Sequence, residues 1–349
     1  MNLFLVTSPL QYICALEARE YFGCEDNILL LVSQKSTHGL EQQDKLIDKN
    51  EWQHVVTIGR DNRSKYVPRA IKQINAILQG RILERFFYAE YHGWRTKLLL
   101  KNLPVEQEVY FDDGTMTLLE YGKHILTGEY YSRPRFLVDL KVRLNGCQPI
   151  GSLPPSDNLE IFSMFQLEQH AFKLHHNHLS MLKQRYGNPD LYNPSAPVGI
   201  IGQGAIGDKN QPSIDKYVQS ILELAQQITT EIIYFPHRTE KPAVREKLER
   251  HPKIQYHYGE YPMEIELIDK RIELSALVGA YSTAMFTCRK LYPEMPIIAR
   301  NVYHPDPLFL KALIDQLGKC RITIVDNPES LAESFSPSES HTQASEQEI

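Results

Sequence analysis

The regular exchange of short apolar runs with amphipathic stretches is the feature that most limits what this chain can fold into. Residues 3–6 open the series as a strand, and residues 10–21 follow with helical spacing. Residues 27–32, 54–58, 85–89 and 108–111 read as further strands. Between them, residues 39–51, 69–83 and 94–101 have helical character, with Ile71, Ile74, Ile77 and Leu78 on one face of the second. Apolar strands joined by helices bury both their faces only in a parallel sheet with helices on either side.

The alternation stops at residues 151–158 (GSLPPSDN), a turn-rich boundary. Residues 158–186 read as mostly helical and 187–197 as turns. The strand–helix rhythm then restarts, with strands at 198–201, 231–235, 254–256 and 277–280 and two further candidates at 297–299 and 322–325. Helices are expected at 214–228, 244–250 and 264–275. The organisation expected is therefore a Rossmann-like domain over 1–155, a helical linker over 156–195, and a second Rossmann-like domain over 196–333. The tail 334–349 (SFSPSESHTQASEQEI) has few large apolar side chains and reads as disordered.

Composition narrows the function classes. A net charge of −5 gives no general attraction to nucleic acid. No apolar run approaches the ~20 residues that cross a bilayer, and the opening MNLFLV lacks a basic leader, so it reads as a first strand. The five cysteines are scattered without a CxxC spacing, which argues against a disulfide framework or a zinc site and for a reducing cytoplasm.

Ligands of open α/β sheets bind at the carboxyl ends of the strands, and the unusual residues of this chain fall there. Asp112-Asp113-Gly114 follows the strand ending at Phe111; adjacent carboxylates repel, which raises one pKa and suits a general base. An ordinary Asp-Gly turn has the same composition, and Gly114 serves a tight turn or a close approach in either case. The acids are not spaced as Asp-x-Asp, so no metal is inferred. Pro236-His237-Arg238 ends another strand, where an imidazolium beside an arginine would hold a phosphate. Ser282-Thr283 precedes a helical stretch and reads both as an N-cap and as an anion site.

Three weaker signals accompany these. Gly202-Gln203-Gly204 follows a strand with a GxGxxG-like spacing but without the acidic ribose partner of a dinucleotide site, and Asp208 lies in the same turn. Thr7, Ser8 and Gln11 follow the first strand and could meet a sugar hydroxyl. Glu264 and Glu266 open a helix, where a carboxylate can hold vicinal hydroxyls or simply favour the helix dipole.

An acidic-acidic-Gly motif, a histidine beside proline and a Ser-Thr pair, in that order, resemble the bacterial sialyltransferases of lipooligosaccharide and capsule. The likeness runs from residues 2–17 to Ser282-Thr283, touches Ile161-Phe162, and is greatest for the lipooligosaccharide family, whose acidic motif often reads Phe-Asp-Asp-Gly-Thr. The resemblance implies a GT-B fold, CMP-sialic acid as donor, inversion at the anomeric carbon and no cofactor or essential metal. Asp113 or Asp112 would then deprotonate the acceptor, with Asp208 a competing base. His237, Ser282 and Thr283 would hold the departing phosphate, and Glu264 or Glu266 the ribose. Arg238 departs from the pattern, since a proline usually follows the histidine.

The expected partners are a nucleotide-sugar donor and a glycan or glycolipid acceptor, with a homodimer left open. Two alternatives stand beside sialyl transfer: a related transferase using CMP-Kdo or a UDP-hexose, and a non-catalytic assembly protein on the same scaffold. The basic stretch 65–85 raises peripheral contact with the inner membrane, although a core-packed helix with a solvated basic face explains it equally.

Overall fold

The runs that are apolar on every side become the central strands of two parallel sheets. The computed structural model describes residues 1–35, 37–168, 172–186, 191–209 and 211–325. The first half runs β1 (Asn2–Val6), α1 (Pro9–Tyr21), β2 (Asn27–Val32), α2 (Thr37–Leu46), β3 (His54–Ile58), α3 (Arg63–Leu78), β4 (Leu83–Tyr88), α4 (Trp94–Asn102) and β5 (Val105–Phe111). It continues through α5 (Met116–Glu120), a π-helical turn (Tyr121–Ile125), β6 (Tyr131–Ser132), α6 (Phe136–Leu144), β7 (Ser152–Leu153), β8 (Leu159–Ser163), β9 (Lys173–His176) and α7 (Ser180–Tyr186). The second half comprises β10 (Val198–Ile201), α8 (Ile214–Gln227), β11 (Ile232–Phe235), α9 (Pro242–Leu248), β12 (Ile254–Tyr256), α10 (Met263–Asp269), β13 (Ala276–Gly279), α11 (Thr283–Leu291), β14 (Ile297–Arg300), α12 (Pro307–Lys319) and β15 (Thr323–Val325).

The first sheet has seven parallel strands in the order β3-β2-β1-β4-β5-β8-β9, and the second six in the order β12-β11-β10-β13-β14-β15. β1 and β2 are buried at every position and pair in register from Asn2–Asn27 to Val6–Leu31, as strands covered on both faces must be. Helix starts follow the local chemistry. Ser8 accepts from Gln11 N at 3.3 Å ahead of Pro9, and Asp306 accepts from Leu308 N and Phe309 N ahead of Pro307.

One apolar core passes through both halves. It joins Phe4, Phe111 and Phe162 to Phe286, Leu313 and Leu317, and Phe165 meets Phe286 edge-on at 5.1 Å. α12 returns to the first domain, where the Gln316 side chain accepts from Gln166 N and donates to Gln166 O, both at 2.9 Å.

The stretch 158–186, expected to be mostly helical, instead supplies β8 and β9 to the first sheet and, among its described residues, only a short helix, α7. Alternation decides the outcome: Leu159 and Ile161 enter one core and Phe162 the other. The polar residues that gave the stretch its helical look are satisfied across strands, with Glu160 holding His175 at 2.6 Å and Lys173 at 3.5 Å. α3 begins earlier than expected, and Val67, Ala70, Ile71, Ile74 and Leu78 face the interior, so its apolar stripe is spent on the core. α10 is shorter than expected, closing before Arg271, which takes a left-handed φ of 50°. The five cysteines are free. The tail 334–349 lies outside the described residues. Among the described residues no helix is long and apolar enough to cross a membrane.

Glu17 of α1 is buried and accepts from Met181 N at 3.0 Å and Leu182 N at 2.7 Å, closing the open amides of α7. Glu17→Ala is expected to lower stability by about 1–3 kcal/mol, measured by urea unfolding.

Candidate functional site

Each strand order reverses once, between β1 and β4 in the first sheet and between β10 and β13 in the second, and such reversals open the crevices in which α/β proteins bind ligands. Thr7, Ser8 and Gln11 follow β1, and Glu90 follows β4. Gly202 to Gly204 follow β10, and Ser282-Thr283 follow β13. The two walls touch. Thr115 N donates to Thr283 Oγ1 at 3.0 Å, Arg238 Nη1 donates to Gln34 Oε1 at 3.3 Å, and Lys45 pairs with Glu260 at 2.7 Å.

The two aspartates differ in what they face. Asp112 is fully buried, and both its oxygens are used, accepting from Ser163 Oγ and Met164 N at 2.6 Å each. It fastens the end of β5 to the end of β8. Asp113 is half-buried, and one oxygen accepts from Gln11 Nε2 at 2.8 Å. Its other oxygen has no hydrogen-bond partner among the described residues. Burial pushes Asp112 up to about 7 against the bonds from Ser163 and Met164. Burial also pushes Asp113 up to about 6, with Glu90 adding to the rise and Gln11, Arg238 and Arg60 opposing it. The expectation that the two carboxylates raise each other is thus corrected: desolvation acts first, and the acid that matters to Asp113 is Glu90.

Gln11 is held in place from behind. Its Oε1 accepts from Thr7 N at 2.7 Å, and Thr7 Oγ1 donates to Glu90 Oε1 at 3.0 Å. Thr7 O in turn accepts from Gln34 Nε2 at 2.6 Å and from the Arg60 guanidinium. Ser8 serves as the cap of α1. Glu120 accepts from His92 N at 3.0 Å and is pushed up to about 7 by burial, with Asp113 and Glu90 contributing. Glu90, Arg60, Gln34 and Glu120 were missed in the sequence. Glu90 and Arg60 could have been found by their places just beyond β4 and β3.

On the opposite wall His237 is exposed at the end of β11, and its Nδ1 accepts from Thr239 N at 3.2 Å. That bond places the proton of the neutral ring on Nε2. Desolvation, then Arg238, pushes His237 below its ordinary value, which works against the imidazolium expected there. Arg238 carries its charge across the cleft to Gln34 and toward Asp113. Gly202 and Gly204 are small because of this loop. A Cβ on Gly202 would lie 2.7 Å from Tyr234 OH, and one on Gly204 2.7 Å from the His237 ring. Gln203 N donates to Tyr217 OH at 3.1 Å, opening a chain through Tyr234 and Glu240 to Tyr256 beneath the loop. Asp208 stands apart in an exposed ion pair with Lys241 at 2.6 Å.

A cavity of about 530 Å³ opens beside His237 and Arg238, lined also by Glu240, His257 and Glu266, with Lys45 and Gln42 entering from the first domain. Glu266 borders it, but its carboxylate is taken up by Glu260 N, Tyr261 N at 2.7 Å and His257 Nε2 at 3.1 Å. It shapes the rim of the cavity through the 260–261 backbone. Glu264 is buried under α11, where Thr287 Oγ1 donates to it at 2.9 Å. Ser282 caps α11 by accepting from Ala284 N at 3.3 Å, and Thr283 is turned to the aspartate turn.

Ligand atoms of His92, His124 and Glu129 lie within 4.8 Å of one another. The imidazoles, however, stack at 3.9 Å with planes only 16° apart, whereas a metal lies in the plane of each ring that binds it. The rings do not fit a shared ion in this arrangement.

Gly114 has φ +63°, and a Cβ there would sit 2.2 Å from Thr283 Oγ1. Gly114→Ala is expected to lower stability by about 1–3 kcal/mol through the clash and the left-handed backbone, with partial recovery in the Gly114→Ala/Thr283→Ala pair; chemical unfolding reads both. Asp112 differs in its pH behaviour. Its folded value of about 7 exceeds the ordinary 3.8, so its contribution is full below 3.8 and is lost as pH rises toward 7. Asp112→Asn keeps an acceptor for Met164 and a donor for Ser163, and it should flatten that part of the stability–pH curve measured by chemical unfolding.

No protein-family model matches the chain, and no curated protein matches it. Solved structures do resemble it. An α/β-galactoside α-2,3-sialyltransferase from Photobacterium phosphoreum aligns over 95% of this chain and 98% of its own, with a TM-score of 0.53 and 13% identity. A UDP-GlcNAc 2-epimerase from Methanocaldococcus jannaschii aligns over 96% and 91%, with a TM-score of 0.50 and 12% identity. The fold is GT-B: two Rossmann-like domains facing a cleft.

Proposed function

We propose that the chain is an inverting, metal-independent glycosyltransferase that moves sialic acid from CMP-sialic acid to a terminal galactoside of a bacterial surface glycan. The observation that carries the reading is Asp113. It is a half-buried carboxylate with one oxygen fixed by Gln11 and the other without a hydrogen-bond partner among the described residues, on the side of Arg238 and the start of α11. In the proposed step Asp113 takes the acceptor hydroxyl proton as that oxygen attacks the anomeric carbon. The bond from the anomeric carbon to the phosphate oxygen breaks, and the nucleotide leaves as an anion. His237 Nε2–H, Arg238 and the hydroxyls at the start of α11 would stabilise the charge that develops there. The cavity beside His257 and Glu266 has room for the nucleoside.

Asp112 is assigned to positioning, because neither of its oxygens is open to a substrate. Asp208 is set aside as a base, since it is held by Lys241 on the surface. The sialyl donor rests on the motif set Asp112-Asp113-Gly114, His237 and Ser282-Thr283. A screen of CMP-sialic acid, CMP-Kdo and UDP-hexoses tests it. Turnover with a UDP-hexose alone would defeat the sialyl assignment while keeping the transferase, and no transfer with any donor would favour a non-catalytic role.

Asp113→Asn is expected to lower kcat/KM by about 10²–10⁴-fold, and His237→Ala by about 10²-fold, with thermal melting unchanged. The base acts when ionised, so kcat/KM should fall as pH drops through about 6. Gln11→Leu removes a bond to the ionised form and should move this acid limb to higher pH; a pH–rate profile reads both.

A further inference from the structure

α6 turns its apolar side outward. Phe136 is 81% exposed, Leu137 70%, Leu140 45% and Leu144 78%. Their spacing places all four on one helical face, while Val138 and Val142 on the other face pack into the first domain's core. Arg133, Arg135, Lys141 and Arg143 surround this face and are exposed. None of them enters an ion pair among the described residues. The one acid of the segment, Asp139, accepts from Arg135 N at 3.2 Å within the first turn. In a chain of net charge −5 this concentration of cations around bare apolar side chains is local and one-sided.

We propose that α6 and the arginines before it dock the first domain on an anionic phospholipid bilayer. An amphipathic helix with a basic rim lies in a membrane interface, with its apolar side chains among the acyl chains and its cations at the headgroups. Charge decides between this occupant and a second copy. A two-fold contact brings the same patch against itself, so the unpaired cations flanking α6 would face one another. An anionic surface satisfies them.

The docking face also connects to the catalytic wall. Arg135, Arg95 and Arg133 act on Arg63, which burial already pushes below its ordinary value. Arg95 Nη2 donates to Arg60 O at 2.9 Å, and Arg60 reaches Thr7 O behind Gln11. A line of arginines thus leads from α6 to the surroundings of Asp113. A bilayer-anchored acceptor would enter along it, a consequence that rests on the transferase reading, whereas docking itself does not.

The test is co-sedimentation of the full chain with vesicles of equimolar phosphatidylglycerol and phosphatidylcholine, against phosphatidylcholine alone. Binding to the anionic vesicles that weakens with salt is expected. Phe136→Ser/Leu144→Ser should weaken it at least about tenfold, and Arg133→Gln/Arg135→Gln about fivefold per cation removed. Both pairs are exposed, so thermal melting should match the parent, and transfer to a soluble acceptor, which reports the catalytic reading separately, should be unchanged. The proposal is overturned if the parent ignores anionic vesicles, if both variants bind as the parent does, or if sedimentation velocity shows a dimer that the apolar variant converts to monomer.

Discussion

The approach of Thr283 to the aspartate turn is the constraint on which the rest of the cleft depends. Its hydroxyl reaches the Thr115 amide over a residue that has no side chain and a left-handed backbone. This fixes the distance between a carboxylate on one sheet and a helix N-terminus on the other without covalent linkage. Arg238 and the Lys45–Glu260 pair cross the same gap further out. The exposed ion pair contributes little to stability; the direction it imposes on α2 and the 260–261 loop is its visible effect.

Two carboxylates adjacent in sequence have separate tasks because one strand end turns them to different sides. Asp112 goes inward and ties β5 to β8, whereas Asp113 goes to the cleft and is oriented through Gln11, Thr7 and Glu90. Arg60 and Arg238 keep the cleft from becoming wholly negative, since Glu90 and Glu120 stand near the same carboxylate. Arg238 thereby supplies one of the two balancing cations.

Most of the fold was legible because parallel strands buried on both faces leave unbroken apolar runs, as in β1, β2 and β10. β8 and β9 were not, because their polar residues are answered by one another across the sheet edge, as Glu160 is by His175. Sequence reading placed Asp113, Gln11, His237 and Thr283 at strand or helix ends, and the structure brings them to one cleft. It offered Glu264 or Glu266 for the ribose, whereas in the structure their carboxylates are engaged by Thr287 and by the 260–261 backbone. It passed over Glu90 and Arg60, which touch Thr7 and whose only signal is their place just beyond β4 and β3. The glycines of 202–204 were visible, but their cause is the packing of Tyr234 and His237.

The core shared by the two sheets has a consequence for how such a chain can change over time. Phe165 and Phe286 belong to different halves yet form one edge-on pair, and the Gln166–Gln316 bonds seal the seam beside them. A recombined protein that took its second half from a distant relative would carry a seam cut to another shape. A change of side-chain volume on one face of the seam therefore has to be answered on the other, whereas the loops above it are free of that demand.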